Sequence, residues 1–88
     1  MRVNSDFVLR NIYGKYILMP VRKNNASDDP VLLNSVAADI WQFAGQGKTF
    51  DEIVDAVSQK YELQKNSMEE ASVKQFVNLL IAQELLEE

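Results

Sequence analysis

The stretch Pro30-Val31-Leu32-Leu33-Asn34-Ser35-Val36-Ala37-Ala38-Asp39-Ile40-Trp41-Gln42-Phe43 decides how the chain is read. A short β-type apolar run, 31–33, passes with almost no linker into a helical pattern. Val36, Ala37, Ile40, Trp41, Phe43 and Ala44 share one broad face at 100° per residue, with Asp39 and Gln42 opposite. Asn34 or Ser35 can offer a side-chain oxygen to an otherwise unpaired amide of the first turn. Gly45 and Gly47 end the helix.

Toward the N-terminus, 7–12 (Phe-Val-Leu-Arg-Asn-Ile) is rich in β-branched and apolar types and reads as a strand. Tyr13-Gly14-Lys15 fits a tight turn, because glycine accepts positive φ. A second strand follows at 16–21, its end fixed at a sheet margin by Pro20, which has no ladder donor. The segment 22–29 is polar and turn-rich and reads as an exposed loop.

Toward the C-terminus, Thr49-Phe50-Asp51-Glu52 has the form of a capping box. The helix behind it, about 50–61, places Phe50, Ile53, Val54, Val57 and Tyr61 on one face. Ser67-Met68-Glu69-Glu70 repeats the signature and opens a last helix, about 68–83. Its stripe is Val73, Phe76, Val77, Leu80 and Ile81, with Leu79 outside it. Counting Leu79, the apolar arc is roughly 200° wide, beyond what one core contact needs. Such a helix has two apolar neighbours, the core and a further one.

The expected fold is therefore α+β: a small three-stranded antiparallel sheet (7–12, 16–21, 31–33) followed by a winged helix-turn-helix-like bundle of three helices (35–45, 50–61, 68–83). Eighty-eight residues make one domain, 1–88. The aromatic residues are spread along the chain, so the core is expected to draw on every segment.

Composition narrows the chemistry. The chain has no cysteine and no histidine, hence no thiolate ligand, disulfide or imidazole base. Asp51, Glu52 and Asp55, and likewise Glu69 and Glu70, sit in the first turns of helices, where carboxylates complement the macrodipole. Gly45-Gln46-Gly47-Lys48-Thr49 lacks the glycine spacing of a phosphate loop and follows a helix rather than a strand. No apolar run approaches the roughly 20 residues of a membrane helix, and Met1–Asp6 has no signal-peptide pattern. The reading is a cytoplasmic protein with no catalytic residues, no metal, no cofactor and no membrane partner.

The net charge of −4 is uneven: residues 1–34 carry +2, residues 35–61 carry −2 and residues 62–88 carry −4. Nucleic-acid binding needs cations against phosphates, yet the last helix region has only Lys65 and Lys74 against six carboxylates. A DNA-binding winged-helix regulator is thus the runner-up reading. The short third strand, by contrast, reads as a sheet edge with unpaired backbone groups. An extended peptide could add itself there, with pockets from the last helix and Lys74 facing an acidic residue. A structural subunit that forms a homodimer through the same edge is the other alternative.

Taken in order, Gly14 and Tyr16, Leu33-Asn34 with Ala38 and Ile40-Trp41, Gly47-Lys48-Thr49 with Glu52-Ile53 and Tyr61, and Phe76 through Leu80 to Leu85-Leu86 resemble PqqD-like proteins over about 7–86. The resemblance implies a recognition element of ribosomally made, post-translationally modified peptide pathways. Such an element captures the leader of a precursor peptide as an added strand and presents it to a modifying enzyme, often a radical S-adenosylmethionine enzyme. By position, Val31, Leu32 and Leu33 would pair with the leader, and Val73, Lys74, Phe76, Val77 and Leu80 lie on the helix that would wall the groove. The chain departs from the family in its long polar loop at 22–30 and at Gln83-Glu84, where many relatives carry glycine before the leucines.

Overall fold

The computed structural model describes residues 1–21 and 29–88; the part of the polar loop at 22–28 lies outside the described residues. In chain order the elements are β1 (Arg2–Val3), β2 (Phe7–Ile12), β3 (Lys15–Pro20), β4 (Val31–Leu33), α1 (Ser35–Gly45), α2 (Phe50–Lys60), α3 (Met68–Ala82) and β5 (Leu86–Glu87). The fold is α+β, with an antiparallel sheet ordered β2-β3-β4 against three helices. A second, two-stranded sheet joins β1 to β5 through Arg2↔Glu87 and Val3↔Leu86.

The hairpin β2–β3 turns through two residues, because Ile12 pairs with Lys15. Tyr13 and Gly14 both have positive φ (51° and 78°), as a primed two-residue turn requires. Tyr13 is fully exposed there, so the core does not draw on that aromatic. The second strand accordingly starts at Lys15, one residue earlier than its pattern suggests.

Side chains alternate cleanly across the three-stranded sheet. Phe7, Leu9, Tyr16, Leu18, Val31 and Leu33 face the helices, and Leu18 is wholly buried. Val8, Ile12, Ile17, Met19 and Leu32 fall on the outer face with Arg10 and Lys15. The core behind the sheet is built from Ile40, Trp41, Ile53, Val57, Val77 and Leu86 with their neighbours.

Helix starts follow the sequence signatures. The Ala37 amide donates to Asn34 Oδ1 at 2.8 Å, so Asn34 rather than Ser35 is the α1 cap. Thr49 and Glu52 form a complete capping box on α2. At α3 the Glu70 amide donates to Ser67 Oγ, but the Glu70 carboxylate reaches back to the Asn66 amide instead of closing the box.

All three helices stop in the same way. The amide two residues past the cap reaches back to a carbonyl of the last turn: Lys48 to Phe43, Leu63 to Ser58 and Leu85 to Leu80. This arrangement places the preceding residue in the left-handed region. Gly47 fills that position after α1 (φ 85°), whereas Glu62 (φ 55°) and Glu84 (φ 61°) fill it after α2 and α3. A carboxylate there carries the cost of its Cβ and faces the negative end of the helix dipole. Glu84→Gly is therefore expected to stabilise the protein by about 1 kcal/mol, read as a rise in Tm of about 4–8 °C in thermal unfolding.

The left-handed stop at Glu84 also directs the last residues of the chain. The backbone reverses after Ala82 instead of continuing to 83, and drives Leu85 and Leu86 into the core at 4% and 2% exposure. Asn4 fastens the junction: its amide donates to the Leu85 carbonyl at 3.0 Å and its Nδ2 to the Glu84 carbonyl at 2.9 Å.

Candidate functional site

The β4 edge can be followed bond by bond. The Val21 amide donates to the Asp6 carbonyl at 2.8 Å, one step beyond the Phe7↔Pro20 pair. Antiparallel pairs alternate between hydrogen-bonded and open, so Val8↔Met19, Arg10↔Ile17 and Ile12↔Lys15 are the bonded pairs of β2 and β3. Tyr16 and Leu18 then turn their backbone groups toward β4, and Tyr16↔Leu33 and Leu18↔Val31 are bonded. Ile17↔Leu32 is the open pair between them. Leu32 consequently directs both its N–H and its C=O away from the sheet, with the Pro30 carbonyl and the Asn34 N–H on the same side. No strand among the described residues pairs with this edge.

A groove separates that edge from α3. At the start of β4, Asp29, Pro30 and Val31 share a cavity of about 470 Å³ with Gln83, Glu84 and Leu85. Just past β4, Val36 shares one of about 270 Å³ with Val73 and Phe76, its walls completed chiefly by Tyr61 and Leu63. β4 and α3 thus run side by side in opposite directions. Glu69, Ser72, Phe76, Leu79 and Gln83 recur at three- and four-residue spacing and form one stripe down α3. Members of that stripe line both cavities and the recess between them.

The residues expected at a peptide site separate into groups. Leu32 is 68% exposed, its side chain on the outer sheet face and only its backbone at the edge. Val31 is half-buried and packs on the core. Leu33, Val77 and Leu80 are core residues at 7%, 0% and 3% exposure, so their side chains are spent inside the fold. Val73 is buried but forms part of a cavity floor. Lys74 stands about 180° round the helix from the stripe and pairs with Glu70 at 3.4 Å, so it faces away from the groove. Phe76 alone of the five α3 residues is both on the stripe and partly accessible.

Leu79, half exposed, is the groove residue that the core-facing stripe does not include. Its signal was the excess width of the apolar arc. Ser72 and Gln83 carry no sequence signal; their placement follows only from the helix rotation that the core imposes.

A buried carboxylate braces one end of the groove. Asp39, 8% exposed rather than on the solvent side of α1, accepts hydrogen bonds from Lys60 Nζ at 2.8 Å and from the Tyr61 hydroxyl. The Asp39 bond raises Lys60 above its ordinary 10.5, and the same partner, then burial, raise Tyr61 above 10.0. Folded-state values above the unfolded ones mean stability that is complete below about pH 10 and lost as pH climbs through the raised values. Asp39→Asn is expected to bring the Tyr61 phenolate transition to lower pH, followed by ultraviolet absorbance, and to leave a stability deficit that shrinks in strong alkali.

Among the described residues no group of three or more acidic side chains is placed to hold a metal ion, and no helix is long and apolar enough to cross a membrane.

A three-stranded sheet backed by three helices, its β4 edge unpaired among the described residues and lying along a helix groove, defines a small α+β module with an open strand. The family model described as coenzyme PQQ synthesis protein D (PqqD) matches residues 15–86, and the chain belongs to that family. Among solved structures it is similar to TbiB1 in complex with the TbiA(beta) leader peptide: 25% identity, TM-score 0.69, covering 99% of this chain and 95% of that one. Comparison with curated proteins gives no match.

Proposed function

We propose that this protein is a non-catalytic peptide-binding chaperone of a ribosomally made, modified peptide pathway. It captures the leader of a precursor peptide as a fourth strand on β4 and presents it to a modifying enzyme, in our reading a radical S-adenosylmethionine enzyme. Membership of the PqqD family and likeness to a structure solved with a leader peptide support the reading. The observation that carries it is the outward pair of backbone groups on Leu32, facing a groove whose far wall offers Phe76 and Leu79. Main-chain bonds supply affinity in such additions, and the pockets that receive alternate side chains supply selectivity.

The benefit to the enzyme is concentration. Holding the leader turns the encounter of core peptide and enzyme into an intramolecular event, which needs no reactive side chain and no cofactor on this chain. The competing DNA reading is weaker. α3 would be its recognition helix, and its sole cation, Lys74, is engaged by Glu70.

Titration of the isotope-labelled protein with the precursor peptide encoded nearest its gene tests the proposal. The Leu32 and Asn34 amide resonances should move and gain protection from solvent exchange, together with side-chain signals of Phe76 and Leu79. Shifts confined to the outer sheet face, with the Leu32 amide unchanged, would defeat it.

A further inference from the structure

The groove is apolar in its middle and acidic at both ends. Glu69 stands on the rim of the cavity formed by Val36, Tyr61, Val73 and Phe76. At the opposite end Asp29 and Glu84 line the cavity beside Val31. None of these three carboxylates enters an ion pair among the described residues, whose pairs are Arg2–Glu87, Lys60–Asp39 and Lys74–Glu70. Lys60, whose Nζ lies 5.7 Å from the ring of Tyr61 in the wall of the first cavity, is bound to Asp39. Lys74 is on the far side of α3, and Lys15, next to the end of β4, belongs to the outer face of the sheet.

From this distribution we infer that the captured segment is apolar at its centre and carries a lysine or arginine at each flank. The inference rests on the strand-addition reading above and adds the charge pattern of the peptide to it. Spacing sharpens it. Glu69 and Glu84 are fifteen positions apart on α3 and its cap, about 22 Å along a helix, which an extended chain covers in about seven residues. The two cations should therefore be separated by about six to eight residues. Exposed pairs of this kind contribute little each, about two- to fivefold in affinity. Their main effects are a faster encounter and rejection of acidic segments, and both weaken as salt shortens the screening length.

The test is selection from a displayed library of random peptides about twelve residues long, enough to cross the groove when extended. The full-length protein serves as bait, at low and at raised salt. Enriched sequences are expected to hold alternating apolar residues between two basic positions about seven apart, with the basic preference fading as salt rises. Glu69→Lys should replace the basic preference at its flank with an acidic one, and Glu84→Lys, which leaves Asp29 in place, should erase the basic preference at the other flank only; both positions are exposed. Binders that lose affinity on Leu32→Pro but show no basic flanks would overturn the charge pattern while leaving strand addition standing. Binders indifferent to Leu32→Pro, or no enrichment at all, would remove strand addition and this inference with it.

Discussion

Leu32→Pro is expected to reduce precursor-peptide binding by at least about fivefold while the protein stays folded. The Leu32 amide takes no part in the β3–β4 ladder, since the bonded pairs are Tyr16↔Leu33 and Leu18↔Val31. Proline at 32 therefore leaves those bonds in place, and an edge strand is where a sheet accepts it. What disappears is a donor at the middle of the open edge, and the ring also stands where an added strand would approach. A hydrogen bond lost with its partner left unsatisfied costs about 1–3 kcal/mol, which is roughly five- to 150-fold in affinity. Leu33→Pro provides the contrast: its N–H is inside the ladder and its side chain is 7% exposed, so the protein should unfold. Calorimetric titration of the 32 variant, with circular dichroism on both, checks the pair. Undiminished affinity in a folded Leu32→Pro protein would sink strand addition at β4.

Leu86→Ala should cost far more stability than the neighbouring change Glu87→Ala. Leu86 is 2% exposed and lies in the same cluster as Ile40, Ile53 and Val77. Truncating a leucine in such a place typically costs about 2–5 kcal/mol, a large share of the roughly 5–10 kcal/mol available to a small domain. Glu87→Ala, one residue on, removes only an exposed pair with Arg2 at 3.6 Å and should cost about 0–1 kcal/mol. Denaturant midpoints for the two variants separate a core strand from a frayed tail. Equal midpoints would show that Leu86 is not held as described.

The three helices and the three-stranded sheet were legible because their signals are local. Thr49 and Glu52 cap across three residues, Gly14 marks the hairpin, and the apolar spacing of Ile53, Val54 and Val57 fixes a face. β1 and β5 were not legible. Each is two residues long, and they pair across nearly the whole chain, so neither carries a period of its own. Asp39 misled for a related reason: its place on the helix wheel is polar, and only the approach of Lys60 and Tyr61 from α2 encloses it. On α3 the sequence marks an apolar arc but not how it is divided. The division depends on how far the core turns the helix, which Val73, Val77 and Leu80 settle by taking the inner side and leaving Phe76 and Leu79 to the groove.

The pairing of Arg2 with Glu87 holds residues 2 and 87 about one strand spacing apart, near 4.8 Å. A tag, tether or neighbouring protein joined to either end would leave from the same corner of the molecule. Fusions made in opposite gene orders should consequently hold their cargo in nearly equal positions relative to Leu32 and its groove.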